Sequence, residues 1–241
     1  MNTKISVDHV REKYNPISRI WDEADYWHFH LYDRYRRLFR GYTEFFGHGA
    51  ILNIGSASED YGLNNPEMVH LDAAENSLPR NRIAVCGDAH HLPFGEDVFE
   101  GAFAIGSVLN YCSPLEVFTE IARVTKPGSY FAFDFEQSGG YEHWGTAASG
   151  KNAFVFHTDF NDLDETIWVY SRHFIESSLA AAGFRIAKRI YLHVMTSAIY
   201  RATGSNTATK YLCKYDHIAE NIPLLRQGAS TVLILAVKAD E

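Results

Sequence analysis

Two clusters of residues in this chain have the types and spacing that chemistry at a nucleotide needs. The first is the stretch ILNIGSASEDYG, residues 51–62. An apolar run leads there into Gly55, Ser56 and Ala57, which are small enough for the backbone to approach a bound nucleotide closely. The second is a pair of acids at the ends of later apolar runs: Asp72 closes MVHLD and Asp88 closes RIAVCGD. In a parallel α/β sheet, an acid at the end of the second strand receives ribose hydroxyls. His90 and His91 follow Asp88 and invite comparison with metal ligands, but adjacent side chains on an extended segment point to opposite faces. No metal is expected there or elsewhere in the chain.

These residues need a frame that brings strand ends together. Runs 50–54, 68–72, 82–88, 100–107 and 129–136 read as strands separated by polar stretches. The segment SPLEVFTEIARVTKPG reads as a helix, with Ser113 as cap, Pro114 in the first turn, an apolar side of Leu115, Val117, Phe118, Ile121 and Val124, and a stop at Pro127 and Gly128. Alternating strands and helices predict an α/β doubly wound parallel sheet. A helix at 171–184 and strands at 185–194 and 230–239 follow, the last two able to pair antiparallel. The span from Gly55 to Met68 is too short for a full first helix, so a turn or loop is expected there. Residues 137–168 and 195–229 read as insertions over the carboxyl edge of the sheet, where such sheets bind ligands. Residues 1–47 form a separate N-terminal helical segment before a domain at 48–241.

The chain has 241 residues, 46% hydrophobic, and a net charge of −8, so it can bury one large core but lacks the cationic surplus that a nucleic-acid partner requires. No run of 18 apolar residues and no signal-peptide pattern occurs, which predicts a cytoplasmic protein without a membrane partner. Cys86, Cys112 and Cys213 are too scattered for a disulfide framework or a zinc motif. The sequence does not fix an oligomeric state.

At GDAHHLPFGEDVFEGAFAIGSVLNY and RVTKPG, the sequence resembles the class I S-adenosylmethionine-dependent methyltransferases, in particular the type 11-like branch. The likeness is close over about residues 48–136 and looser beyond. It implies a Rossmann-like, seven-stranded, mostly parallel sheet with an antiparallel C-terminal strand and an N-terminal helical lid. It also implies S-adenosylmethionine as cofactor. By that resemblance Gly55 and Ser56 meet the methionine and ribose portion, Asp72 with Ala73 takes the ribose hydroxyls, Asp88 takes the adenine amino group and Ala89 offers its N–H to the ring. Ser107 and Tyr111 line the sulfonium side. The chain departs from the family pattern in carrying Asn53 where an acid is usual and GSASEDYG in place of a glycine-rich turn; the Asn53 amide can still orient that turn.

A sulfonium methyl is already activated, so the remaining tasks are alignment of the acceptor, exclusion of water and removal of a proton. The segment WDEADYWHFHLYDRY supplies Trp21, Tyr26, Trp27, His28, Phe29, His30 and Tyr32. Aromatic faces attract a cation and imidazoles titrate near neutrality. His28, His30, Asn110 and Tyr111 are therefore catalytic candidates, and Tyr26, Trp27 and Tyr170 candidates for the second reactant. His157 and His193 are further imidazoles of undetermined role, and Arg34, Arg36, Arg37 and Arg40 read as a solvated helix face with acids nearby. Three functions stay open. One is methyl transfer to O or N of a small molecule in specialised metabolism. Another is cyclisation of S-adenosylmethionine itself to azetidine-2-carboxylate, releasing methylthioadenosine. The third is a non-catalytic module that binds the cofactor.

Overall fold

A computed structural model of the chain describes residues 5–17, 20–23, 25–160, 163–204 and 210–240. Nine strands occur among them: β1 (Ile51–Ile54), β2 (Val69–Asp72), β3 (Ile83–Cys86), β4 (Phe99–Ala104), β5 (Thr125–Glu136), β6 (Ala153–Phe160), β7 (Leu163–Tyr170), β8 (Phe184–Leu192) and β9 (Thr231–Lys238). Seven form one sheet in the order β3-β2-β1-β4-β5-β9-β8. The first five are mutually parallel, and β9 runs antiparallel to both β5 and β8. Hydrophobicity without alternation marks the middle of the sheet, because both of its faces are covered. Phe131, Ala132, Phe133, Asp134 and Phe135 of β5 are all fully buried, whereas β3 at the edge leaves Ile83 half exposed.

Helix α4 (Pro114–Val124) follows the expected pattern with two corrections. Val117, Phe118, Ile121 and Val124 are fully buried, each stabilising the packing by roughly 1.5–3 kcal/mol, while Leu115 faces solvent. Ser113 holds the N-cap position, but its hydroxyl makes no capping bond; its N–H instead donates to His90 Nε2 at 2.9 Å. Strand β5 begins at Thr125 rather than 129, since the chain turns straight from α4 into the sheet and Gly128, at φ +75°, absorbs the irregularity.

The N-terminal segment is not one helical stretch. It holds α1 (Val7–Tyr14), which periodicity did not mark, then α2 (Tyr26–Arg40) and α3 (Thr43–Phe46). Ser6 and Asp25 cap α1 and α2 through His9 N and His28 N. Leu31, Tyr35 and Phe39, four residues apart, form the buried stripe of α2. Phe39 meets Phe103 of β4 edge-on at 5.1 Å, and Tyr35 donates to Asp134 of β5 at 2.7 Å.

Between β1 and β2 there is no helix. Ala57, Ser58, Tyr61 and Asn64 take positive φ, and side chains hold the loop: Asn53 Nδ2 donates to Glu59 O at 2.6 Å, and Glu59 and Asp60 accept from local N–H groups. Strands β6 and β7 pair as a hairpin outside the main sheet. Helices α5 (Arg172–Ala181), α6 (Val194–Thr203) and α7 (Asp216–Glu220) complete the described elements. Among the described residues no helix is long and apolar enough to cross a membrane.

Candidate active site

A cavity of about 140 Å³ lies at the carboxyl ends of β1, β2, β4 and β5, beneath α1 and α2. Its floor is set by the turn after β1. Gly55 has φ +63°, and a Cβ there would come within 2.4 Å of Val108 Cγ2, so only glycine fits. The N–H groups of Gly55 and Ser56 both donate to Leu71 O, and Asp72 Oδ2 accepts from Ala57 N at 2.9 Å. Asp72 Oδ1 accepts from Ala74 N at 2.9 Å. Each carboxylate oxygen keeps a further lone pair for a ligand. Burial raises the Asp72 carboxyl, against the pull of the Ala57, Ala74 and Ala73 N–H groups.

Asp88, one strand over, is held differently. Its Oδ1 accepts from His90 N at 2.9 Å and meets His90 Nδ1 at 2.6 Å. Because His90 Nε2 accepts the Ser113 N–H, the ring proton belongs on Nδ1 and is donated to Asp88. Burial pushes Asp88 up, but these bonds outweigh it and hold the carboxyl below its ordinary range.

The opposite end of the cavity is lined by Tyr14, His28, Tyr111, Glu136 and Glu165. Tyr14 and Tyr111 hydroxyls meet at 2.6 Å, and both also bond Glu165, which Lys13 of α1 pairs as an ion. Burial, with Glu165 alongside, drives both phenols well above their usual range. Glu136 ends β5, and desolvation pushes its carboxyl up to about 7 even though the charge on His28 pulls the other way. His28 Nδ1 sits 2.5 Å from Asp25, whose carboxylate outweighs burial and raises the imidazole. Between the two ends, Asp134 accepts from Gly106 N at 2.7 Å and Ser107 N at 3.1 Å, fixing the turn that carries Ser107 to the cavity wall. Burial pushes the Asp134 carboxyl up to about 6.

Residues 52–133 match the family model described as a methyltransferase domain. A stretch of 84 residues, 35% of this chain, is 45% identical to 24-methylenesterol C-methyltransferase 3 of Arabidopsis thaliana. The match covers 23% of that protein, and the shares of two other sterol methyltransferases are 21% and 26%, so the chain spans about a quarter of the curated relatives it matches. PH0226 protein from Pyrococcus horikoshii OT3 superposes with a TM-score of 0.62 at 14% identity, over 94% of this chain and 98% of that one. Geranyl diphosphate C-methyltransferase from Streptomyces coelicolor A3(2), solved with Mg2+, geranyl diphosphate and S-adenosyl-L-homocysteine, gives 0.58 at 10% identity over 97% and 98%. These two likenesses establish the fold. Over residues 52–133 the chain thus resembles a methyltransferase domain.

In this chain, Gly55, Asp72, Ala73, Asp88, Ala89, Ser107, Tyr111 and His28 come together on the cavity wall. Other anticipated residues do not face it. Asn53 is buried beneath the turn it fastens, and Ser56 is buried at 1% exposure with its hydroxyl unpartnered among the described residues. Asn110 is fully buried and spends its amide on the backbone of Glu136 and Trp168, so it positions β5 and β7 instead of meeting a reactant. His30 turns to His193, Trp27 packs on His193 and Tyr200, and Tyr26 is exposed beneath Lys210. Tyr170 donates to Cys112 O at 2.6 Å. His157 lies on the exposed hairpin, and Arg34 and Arg37 pair with Glu220 and Asp33.

Tyr14, Glu136 and Glu165 were not anticipated. Glu136 was legible as the residue ending a strand on the binding edge; Tyr14 and Glu165 come from an unmarked helix and an insertion hairpin. The wall chemistry fits S-adenosylmethionine. Two acids with spare acceptor capacity stand at neighbouring strand ends, and Ser77 Oγ and Trp21 Nε1, both on residues lining the cavity, are buried without partners among the described residues.

Proposed function

We propose that this chain transfers a methyl group from S-adenosylmethionine to a nitrogen or oxygen of a small, largely apolar molecule, with Glu136 accepting the proton. The observation that carries this reading is the division of one cavity into an acid-tipped strand edge and a closed, phenol-lined end holding a carboxyl near neutrality. Bound S-adenosylmethionine supplies an activated methyl. Asp72 and Asp88 hold polar hydroxyl and amino groups, and the Asp134-fixed turn positions Ser107. Leu31, Tyr35, Ile105 and Ile167 exclude water. Glu136 is matched to its task, since a base works best with a pKa near the operating pH. The names of the matched relatives, sterol and geranyl diphosphate C-methyltransferases, support a small apolar acceptor.

The test is incubation of the pure protein with S-adenosylmethionine, alone and with a panel of small amines, phenols, carboxylic acids and prenyl-type alkenes, followed by mass spectrometry. S-adenosylhomocysteine formed only with an acceptor, together with an N- or O-methylated product, is the expected result. Methylthioadenosine without acceptor would replace methyl transfer by cyclisation. A C-methylated product would overturn the acceptor atom, and intact cofactor throughout would overturn catalysis.

A further inference from the structure

Outside the cavity, helix α2, the β8–α6 junction and helix α7 each contribute one metal-ligating side chain to a common point. His30, His193 and Asp216 offer ligand atoms that all lie within 4.8 Å of one another. We propose that this cluster is a binding site for one divalent transition-metal ion of the zinc type, structural in role, clamping the N-terminal helix and the 195–229 insertion to the end of the sheet.

Three features separate this cluster from an ordinary hydrogen-bonded group. First, His30 Nδ1 and His193 Nε2 are 3.1 Å apart. Two ligands bound at about 2.0–2.1 Å in a tetrahedral shell stand roughly 3.3 Å apart, so little rearrangement is needed for both to reach one ion. Second, the His193 ring is only half satisfied: Nε2 meets His30 while the other nitrogen is orphaned. The residue is 1% exposed, yet its Nδ1 has no partner among the described residues, and its backbone takes φ +56°, a left-handed conformation uncommon outside glycine. Trp27 packs edge-on against it at 4.5 Å and holds that orientation. Strain and an orphaned polar atom at one residue mark a position retained for something other than packing.

Third, the carboxylate is already aimed. Asp216 is fully buried; its Oδ1 accepts from Met195 N at 2.7 Å and Thr196 N at 2.9 Å, and its Oδ2 from Thr196 Oγ1 at 2.6 Å. A carboxylate offers about four lone-pair sites, so one remains. Such supporting bonds are what fix a metal-binding carboxylate. The nearby Arg34 does not oppose a cation with its full charge, because Glu220 pairs it through two bonds at 3.0 and 2.6 Å. Two imidazoles and one carboxylate suit zinc and its first-row neighbours, whereas magnesium and calcium prefer all-oxygen shells.

The site takes no part in the cavity wall. The inference is therefore independent of the donor and the acceptor. It is tested on tag-free, full-length protein, dialysed against a chelator and titrated with Co2+. The expected result is one equivalent bound with a tetrahedral visible spectrum, displaced by Zn2+, and a rise in thermal midpoint with Zn2+. His30→Gln and Asp216→Asn should lose the spectrum and the midpoint shift while circular dichroism stays native. His91→Gln, an exposed position, should keep both. Should Asp216→Asn not fold, the partly exposed His30→Gln decides alone. A folded wild-type protein that takes up no Co2+, or uptake that survives in the variants, would overturn the site.

Discussion

The two ends of the cavity use carboxylates in opposite ways. At the β2–β3 end, Asp72 is held by the Ala57 and Ala74 N–H groups, and Asp88 by the His90 N–H together with the His90 ring. At the far end, Glu136 and Glu165 have few backbone donors and are surrounded by phenols, an imidazole and a lysine brought from α1, α2 and the β6–β7 hairpin. A carboxylate held by N–H groups still presents spare lone pairs, which is what recognition requires, even where burial raises it as at Asp72. One held by burial gives up its charge near neutrality, which is what proton transfer requires. Under the proposed function the same group serves affinity at one end and chemistry at the other.

That division breaks if substitutions at the two ends change the same measured quantity. Glu136→Gln should lower single-turnover methyl transfer by roughly 10²–10⁴-fold, the usual contribution of a general base, and leave the calorimetric affinity for S-adenosylmethionine nearly unchanged. The wild-type rate should climb as pH rises towards about 7 and flatten above it, because only the deprotonated carboxylate accepts a proton. Below that point the loss is about tenfold per pH unit. Since Glu136 and His28 influence each other, the limb belongs to the pair, and it should vanish in a pH–rate profile of Glu136→Gln. Asp72→Ala should act on binding instead, weakening S-adenosylmethionine by on the order of 1–3 kcal/mol in calorimetry, with the rate at saturation retained. Tyr14→Phe sharpens the contrast with the smallest effect. Removing one hydroxyl from the Glu165 network should cost about 1 kcal/mol of thermal stability in denaturant melts and less than tenfold in rate.

The same contrast explains what the sequence made legible. The parallel strands, helix α4 and the acids Asp72 and Asp88 were legible from local patterns, because each acid lies next to the strand that positions it. Tyr14, Glu136 and Glu165 meet across separations of more than 100 residues for Tyr14–Glu165, through an eight-residue helix with no buried residues and a hairpin outside the sheet. No periodicity announces such a meeting. The aromatic segment shows the limit of composition as a guide: α2 turns Leu31, Tyr35 and Phe39 inward and sends Tyr26, Trp27 and His30 elsewhere, since a helix presents only one stripe to the core. Asn110 illustrates a related limit, because a buried amide at a strand end serves the backbone as readily as a ligand.

Helix α1 has a kinetic consequence. It buries no residue of its own, yet Val7, Val10 and Tyr14 face the cavity, and it is fastened by Lys13 to Glu165 and by Arg11 Nε to Ala73 O. Whatever fills the chamber becomes the apolar floor that this strap otherwise lacks. Under the proposed function, the occupant leaves only as this strap lifts, so the two fastenings bear on how long it stays.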